Sequence, residues 1–228
     1  VERSRGLGDV YKRQVVTIDG PAASGKSSVS RELARRLGWK WVSTGAFYRG
    51  LAYAALQLSV DLDDVPALAE LTHNPVWKVS METERTKVYF QNEDVTDHIA
   101  HEDVGNFASK ISHYPEVRKA LLDAQRNCAT VTQGLVAEGR DCGTVVFPDA
   151  SAKVYLTASS EHRAARRATE LGLDQGDMVK AQKQRDHQDS TRKVAPMSVP
   201  AGAFELDSTE LNLSEVVDKV EAFVKSKI

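Results

Sequence analysis

A parallel β-sheet covered by helices on both faces is the fold class that this chain of 228 residues predicts. Three observations carry it. A β-branched run, Val15-Val-Thr-Ile18, passes through a glycine-rich loop straight into a helical pattern. Short apolar runs then alternate with helical segments along the chain, the order expected of a parallel sheet with crossover helices. One interval, 74–98, changes periodicity and reads as a small antiparallel excursion inserted into that alternation.

The loop after the first strand is Gly20, Pro21, Ala22, Ala23, Ser24, Gly25, Lys26, Ser27, with Ser28 behind it. It matches the phosphate-binding pattern G-x-x-x-x-G-K-[ST]. Glycines let backbone N–H groups turn inward on an anion, and the following helix N-terminus adds its positive dipole end. Lys26 is expected to reach β- and γ-phosphate oxygens and Ser27 to ligate Mg²⁺. Strand and helix flank the loop in the required order, so the pattern predicts a site for a nucleoside triphosphate. The helix carries Val29, Leu33 and Leu37 on one face, and Gly38 stands where it should end.

Trp39–Ser43 reads as a second strand, followed by a helix from about Ala46 to Leu58. Asp61–Asp64 and Pro66 mark a break and a new helix start. Within the insertion, Val76–Met81 and Lys87–Gln91 are strand-like, with turns between and after them. Helices follow over about His101–Ser112 and Glu116–Thr130, divided by Pro115. Leu135–Ala137 and Lys153–Leu156 are short buried strands, and Ser160–Leu171 is helical. Gln175–Gln188 is a highly polar helical stretch, Phe204–Leu206 a last strand, and Leu213–Lys227 an amphipathic terminal helix.

Net charge is −2, which disfavours nucleic-acid or membrane binding through bulk charge, and no apolar run approaches a bilayer span. Two cysteines, Cys128 and Cys142, make no disulfide framework and fit a cytoplasmic protein. The first fourteen residues, VERSRGLGDVYKRQ, join the first strand abruptly and are expected to be a non-native remnant, with a native basic extension as the alternative. That leaves one domain over 15–228. Ligands of such sheets sit beyond the carboxyl ends of the strands. Arginines and acids gather at those ends: Ser43–Arg49, Glu138–Thr144 and Arg185–Arg192.

With these segments in hand, the chain resembles the bacterial cytidylate kinases from Val15 to its C-terminus. The motifs are IDGPAASGKSS, STGAFYR, GRDCGTVVFPDA, the RD…D…R segment before VAPM, and LDST at 206–209. The resemblance implies a P-loop kinase fold with an inserted monophosphate-binding region at about 74–98 and a short helical lid at about 172–188. It implies transfer of the γ-phosphoryl group of MgATP to CMP or dCMP by a monomer. Ser109, Arg118 and Asp141 fall at the family's cytosine-contacting positions; alone, Ser109 would be a helix-surface hydroxyl and Arg118 a solvated charge. A carboxylate can accept from the cytosine amino group, and an arginine can donate to N3 or O2. The acceptor phosphate is expected near Arg49, Arg140 and Arg192, the sugar near Asp189, and Arg185 near both substrates, with Thr44 among the substrate-binding residues. Tyr48 packs beside the pocket or in the core, and Arg163, Arg166 and Arg167 precede the lid.

The acceptor is already an ionised phosphate oxygen, so no general base is needed. Lys26, Arg140, Arg185 and Arg192 are then the groups expected to carry catalysis, by positioning and charge neutralisation. Three positions depart from the family pattern. Glu138 stands where Asp is common, Ser43 where Asp precedes the Ser/Thr-Gly after strand two, and Cys142 where Met is common. Two other readings stay open: a P-loop kinase for another small acceptor such as UMP, AMP or shikimate, and a nucleotide-binding regulator without turnover.

Overall fold

The first strand, β1 (Gln14–Asp19), lies at the centre of a five-stranded sheet, between β6 (Gly134–Gly139) and β7 (Ala152–Thr157), with β2 (Lys40–Ser43) beyond β6 and β8 (Phe204–Asp207) beyond β7, and every pairing is parallel. The computed structural model describes residues 14–82, 84–171, 179, 183 and 186–228. Val16, Thr17, Ile18 and Asp19 are all buried, as both faces of a sheet covered by helices require. The strand begins at Gln14, paired with Gly134, one residue earlier than the sequence boundary.

Helix α1 (Lys26–Leu37) starts as the loop ends, and Gly38 closes it in the left-handed region at φ 67°. Its residues Val29, Leu33 and Ala34 pack with Ile18, Val136 and Leu156, and with Val216, Val220 and Val224 of the C-terminal helix, Leu213–Lys225. That helix opens on a capping box between Asn212 and Glu215. The opposite face of the sheet is covered by α2 (Gly45–Gln57), α3 (Val65–Leu71) and α5 (Pro115–Thr130), around Val42, Leu51, Leu68, Leu121 and Leu135. Asp64 caps α3 through the Ala67 amide at 3.0 Å, which explains the break before Pro66.

The insertion is a three-stranded antiparallel sheet: β3 (Trp77–Met81), β4 (Thr86–Phe90) and the two-residue β5 (Glu93–Asp94). Trp77 and Val88 pack on α2 at Gly50, where a Cβ would lie 2.9 Å from the Trp77 ring. The Thr86 hydroxyl accepts from the Ser43 amide at 3.0 Å, so the insertion is bonded to the carboxyl end of β2. A short 3₁₀ turn, His98–Ala100, leads into α4 (Glu102–Ile111). Periodicity does not reveal the π-helical turn Cys142–Val146 after β6, which is one turn of wide helix with no hydrophobic repeat to announce it. Helix α6 (Ser160–Leu171) is as expected, whereas most of the polar segment 172–188 lies outside the described residues. Among the described residues, no helix is long and apolar enough to cross a membrane.

Candidate active site

The chain reverses direction across the sheet beside β1, whose neighbours β6 and β7 lead to opposite edges, and the loop opens from β1 at that point. Gly20 is obligatory: its φ is 146°, and a Cβ would lie 2.0 Å from the Leu156 carbonyl oxygen. Gly25, also left-handed, turns the chain into α1. Lys26 folds back over the loop and donates to Pro21 O at 2.5 Å and Ser24 Oγ at 3.3 Å. Burial pushes its ammonium down to about 7, with Arg140 adding repulsion and Glu138 and Asp19 opposing. The Ser27 hydroxyl donates to Glu138 Oε1 at 2.8 Å, while the buried Glu138 Oε2 has no hydrogen-bond partner among the described residues. Burial raises the Glu138 carboxyl.

Beside the loop, Arg163 donates to the Ala158 carbonyl at 3.1 Å and the Ala22 carbonyl at 2.9 Å. It also pairs with Asp186 at 2.7 Å, and Asp186 in turn accepts from the Ala22 amide at 3.3 Å. Arg166 reaches the Ser208 carbonyl at 3.1 Å, giving the LDST segment a structural task. The sequence places Arg163 and Arg166 only just before the expected lid and does not single out Asp186. Their signal was spacing along α6, which does not say which guanidinium turns toward the loop.

A cavity of about 1120 Å³ extends from this loop to α4 and α5, with Lys26 at one end and Ser109 and Arg118 at the other. Arg118 is buried, pairs with Asp141 through Nη2–Oδ2, and lies over the Tyr48 ring at 5.7 Å from its centroid. Burial pushes the Tyr48 hydroxyl up to about 12, so the ring stays neutral. Arg140 Nε donates to Asp189 Oδ2 at 2.9 Å, and Arg192 Nη1 lies 4.0 Å from Asp189 Oδ1. Arg192 is buried, and its Nε and Nη2 have no hydrogen-bond partner among the described residues. Burial first, then Arg118, lowers its pKa.

The predicted residues gather, then, but not all in the expected posture. Thr44 begins α2 with its hydroxyl donating to Glu138 O at 2.9 Å and lying 3.5 Å from Cys142 Sγ. Ser109 is half-buried on the cavity wall. Arg49 lines the same cavity, yet its Nη1 donates to Ile99 O at 2.5 Å and His101 O at 3.1 Å. Those carbonyls end the insertion, a contact that helix-face spacing does not foretell. Arg185 lies outside the described residues. Cys142 is buried, and burial raises its thiol well above the usual range, so it is a packing residue.

The model for the family described as cytidylate kinase matches residues 16–226. The chain belongs to the cytidylate kinase family. It is 78% identical over 214 residues to a cytidylate kinase of Bdellovibrio bacteriovorus, covering 94% of this chain and 99% of that one. A cytidylate kinase of Colwellia psychrerythraea is 44% identical over 222 residues, covering 94% and 97%. Among solved structures, a gluconokinase from Sinorhizobium meliloti shares the fold, with a TM-score of 0.52 at 15% identity over 94% of this chain and 93% of that one. The cytidylate kinase family thus supplies the frame in which the loop, the arginines and the buried Arg118–Asp141 pair are to be understood.

Proposed function

We propose that this chain carries out the reaction its family is named for, moving the γ-phosphoryl group of ATP to CMP or dCMP by in-line transfer without a general base. The observation that carries the reading is the single cavity in which Lys26 and Arg192 are both buried, with Arg192 Nε and Nη2 unpartnered among the described residues. A buried, under-satisfied cation is expensive, and an incoming phosphate supplies what it lacks. At the donor end the amides of residues 20–28 and Lys26 grip the triphosphate. Ser27 fits a Mg²⁺ ligand, with the open Glu138 Oε2 beside it as the second oxygen. When bound, that ion draws charge from the transferring phosphoryl group.

At the acceptor end, Arg192, Arg140 and Arg49 take the monophosphate, Asp189 takes the sugar, and Thr44 holds the cavity wall. Asp141 and Arg118, with Ser109 nearby, read the cytosine edge. A uracil would aim its O4 at the Asp141 carboxylate, an acceptor against an acceptor, at a cost of ~1–3 kcal/mol. In-line transfer also requires that water be kept from the phosphoryl group. The insertion, bonded at Thr86 to Ser43, forms the outer wall of the monophosphate site. Two buried free thiols support a cytoplasmic place of action. A turnover panel with MgATP against CMP, dCMP, UMP and AMP tests the reading. CMP and dCMP should be the fastest acceptors; a faster rate with UMP or AMP rejects it.

A further inference from the structure

We propose that Asp19 is a positioning residue that ties the base-reading carboxylate of Asp141 to the root of the phosphate loop. The proposal rests on the reading of Asp141 given above. Asp19 is the last residue of β1, directly before Gly20, and is fully buried. Both of its carboxylate oxygens are used: Oδ1 accepts from the Cys142 amide at 2.8 Å and Oδ2 from the Gly143 amide at 2.7 Å. These are the two residues immediately after Asp141.

The amides at 142 and 143 are the first of the π-helical turn, whose own bonds run from Val145 N and Val146 N back to Asp141 O, at 2.9 and 3.2 Å. The leading N–H groups of any helical turn lack a partner within it. Here both are buried, and one carboxylate satisfies them together. Asp141 caps the turn, so its backbone is held on one side by the turn and on the other by Asp19. Its side chain is then free to pair with Arg118 at the base end of the cavity.

Packing alone does not call for an acid at position 19. Burial raises its carboxyl to about 6, and Asp141 adds repulsion, against which the two amides and Lys26 act. An acid retained at such a site is explained by what it holds. What it holds sits between the two substrate ends: residue 20 opens the loop on one side, and residue 141 faces the base on the other. Displacement of about 1 Å in a positioning group can cost about 10²-fold in rate. The signal in the sequence is an acid terminating an otherwise β-branched buried strand.

Asp19→Asn tests the assignment, because the amide offers one acceptor and sets an NH₂ against the second N–H. We expect the KM for CMP to rise about tenfold and the preference for CMP over UMP to narrow, with the KM for ATP within about twofold of wild type. A folded variant in which neither the CMP KM nor the preference moves overturns the proposal, as does an equal rise in both KM values. Asp19→Ser, which keeps one short acceptor, is the second variant if the first does not fold. If neither folds, the residue is architectural and the proposal falls. A wild-type chain that ignores CMP would defeat the underlying reading, whereas a normal wild type beside an unmoved variant defeats only this one.

Discussion

The two ends of the cavity are built by different means. The donor end is one continuous stretch, residues 20–28, shaped by backbone: a glycine that tolerates no Cβ, a left-handed turn into α1, and a lysine bonded to its own loop. The acceptor end is assembled from α2, α4, α5, the turn after β6 and residues 189–192, and is shaped by side chains. There, charges pair with each other before any substrate arrives: Arg118 with Asp141, Arg140 with Asp189. Arg192 reaches Asp189 only loosely, at 4.0 Å, and is buried with two donor atoms unmatched among the described residues. A backbone cradle suits any triphosphate, while a side-chain pocket can discriminate between bases, and the difference in construction follows the difference in task.

The comparison breaks first at Lys26. Lys26→Ala should lower kcat by about 10²–10³-fold, as expected when one preorganised positive donor is lost from a dry site. The circular dichroism spectrum should be unchanged, because the side chain bonds only to its own loop. A single-turnover assay with ATP and CMP measures it, and full activity in the variant would remove Lys26 from the chemistry. Arg192→Gln is the matching change at the other end. Hydrogen bonds to a charged group are worth ~1.5–3 kcal/mol, so kcat/KM for CMP should fall by about ten- to hundredfold. The KM for ATP should hold. Ligand-free stability should hold or rise, since a partly unsatisfied buried cation is removed. A drop in ATP affinity of the same size would mean that the two ends are not separate.

The same contrast explains what the sequence made legible. The strand, loop and helix from Gln14 to Leu37 announce themselves because chemistry and geometry are contiguous there. The alternation of strands and helices, and the insertion, are equally plain, since each depends on local periodicity. The acceptor end was placed through resemblance, residue by residue. No spacing rule brings Arg118 of α5 to Asp141, and nothing local says that Arg49 bonds the carbonyls of Ile99 and His101. The same holds for Asp19, whose amide partners lie 123 and 124 residues away, and for the bond of Asp186 to the Ala22 amide, 164 residues away. The π-helical turn escaped because a single turn carries no hydrophobic repeat and its two leading amides are satisfied by a distant strand.

Asp141→Asn sharpens the comparison at the base. The amide can donate where the carboxylate only accepts, so uracil O4 gains a partner and the cytosine amino group can lose one. The ratio of kcat/KM for CMP over UMP should narrow by about tenfold, within the ~1–3 kcal/mol of one misread base edge. ATP binding, measured by calorimetry without CMP, should be unaffected. An unchanged ratio would take Asp141 out of base reading and leave the pair with Arg118 as a purely structural one.

The smallest expected effect lies where the ends meet, at the position that departs from the family pattern. Ser43 closes β2 in register with Glu138 of β6, whose carboxylate accepts from Ser27. An acid at position 43 would stand beside Glu138 on the neighbouring strand, like charge against like charge, in a site whose burial already raises the Glu138 carboxyl. Serine beside the longer acid is therefore a consistent pair rather than a lost ligand. Ser43→Ala should cost about 1 kcal/mol, which is about fivefold in kcat/KM for MgATP. Ser43→Asp should cost more, and Ser43→Asp combined with Glu138→Asp should recover part of that loss by drawing the two acids apart. A Ser43→Asp variant faster than wild type would show instead that the chain gives up turnover at this position.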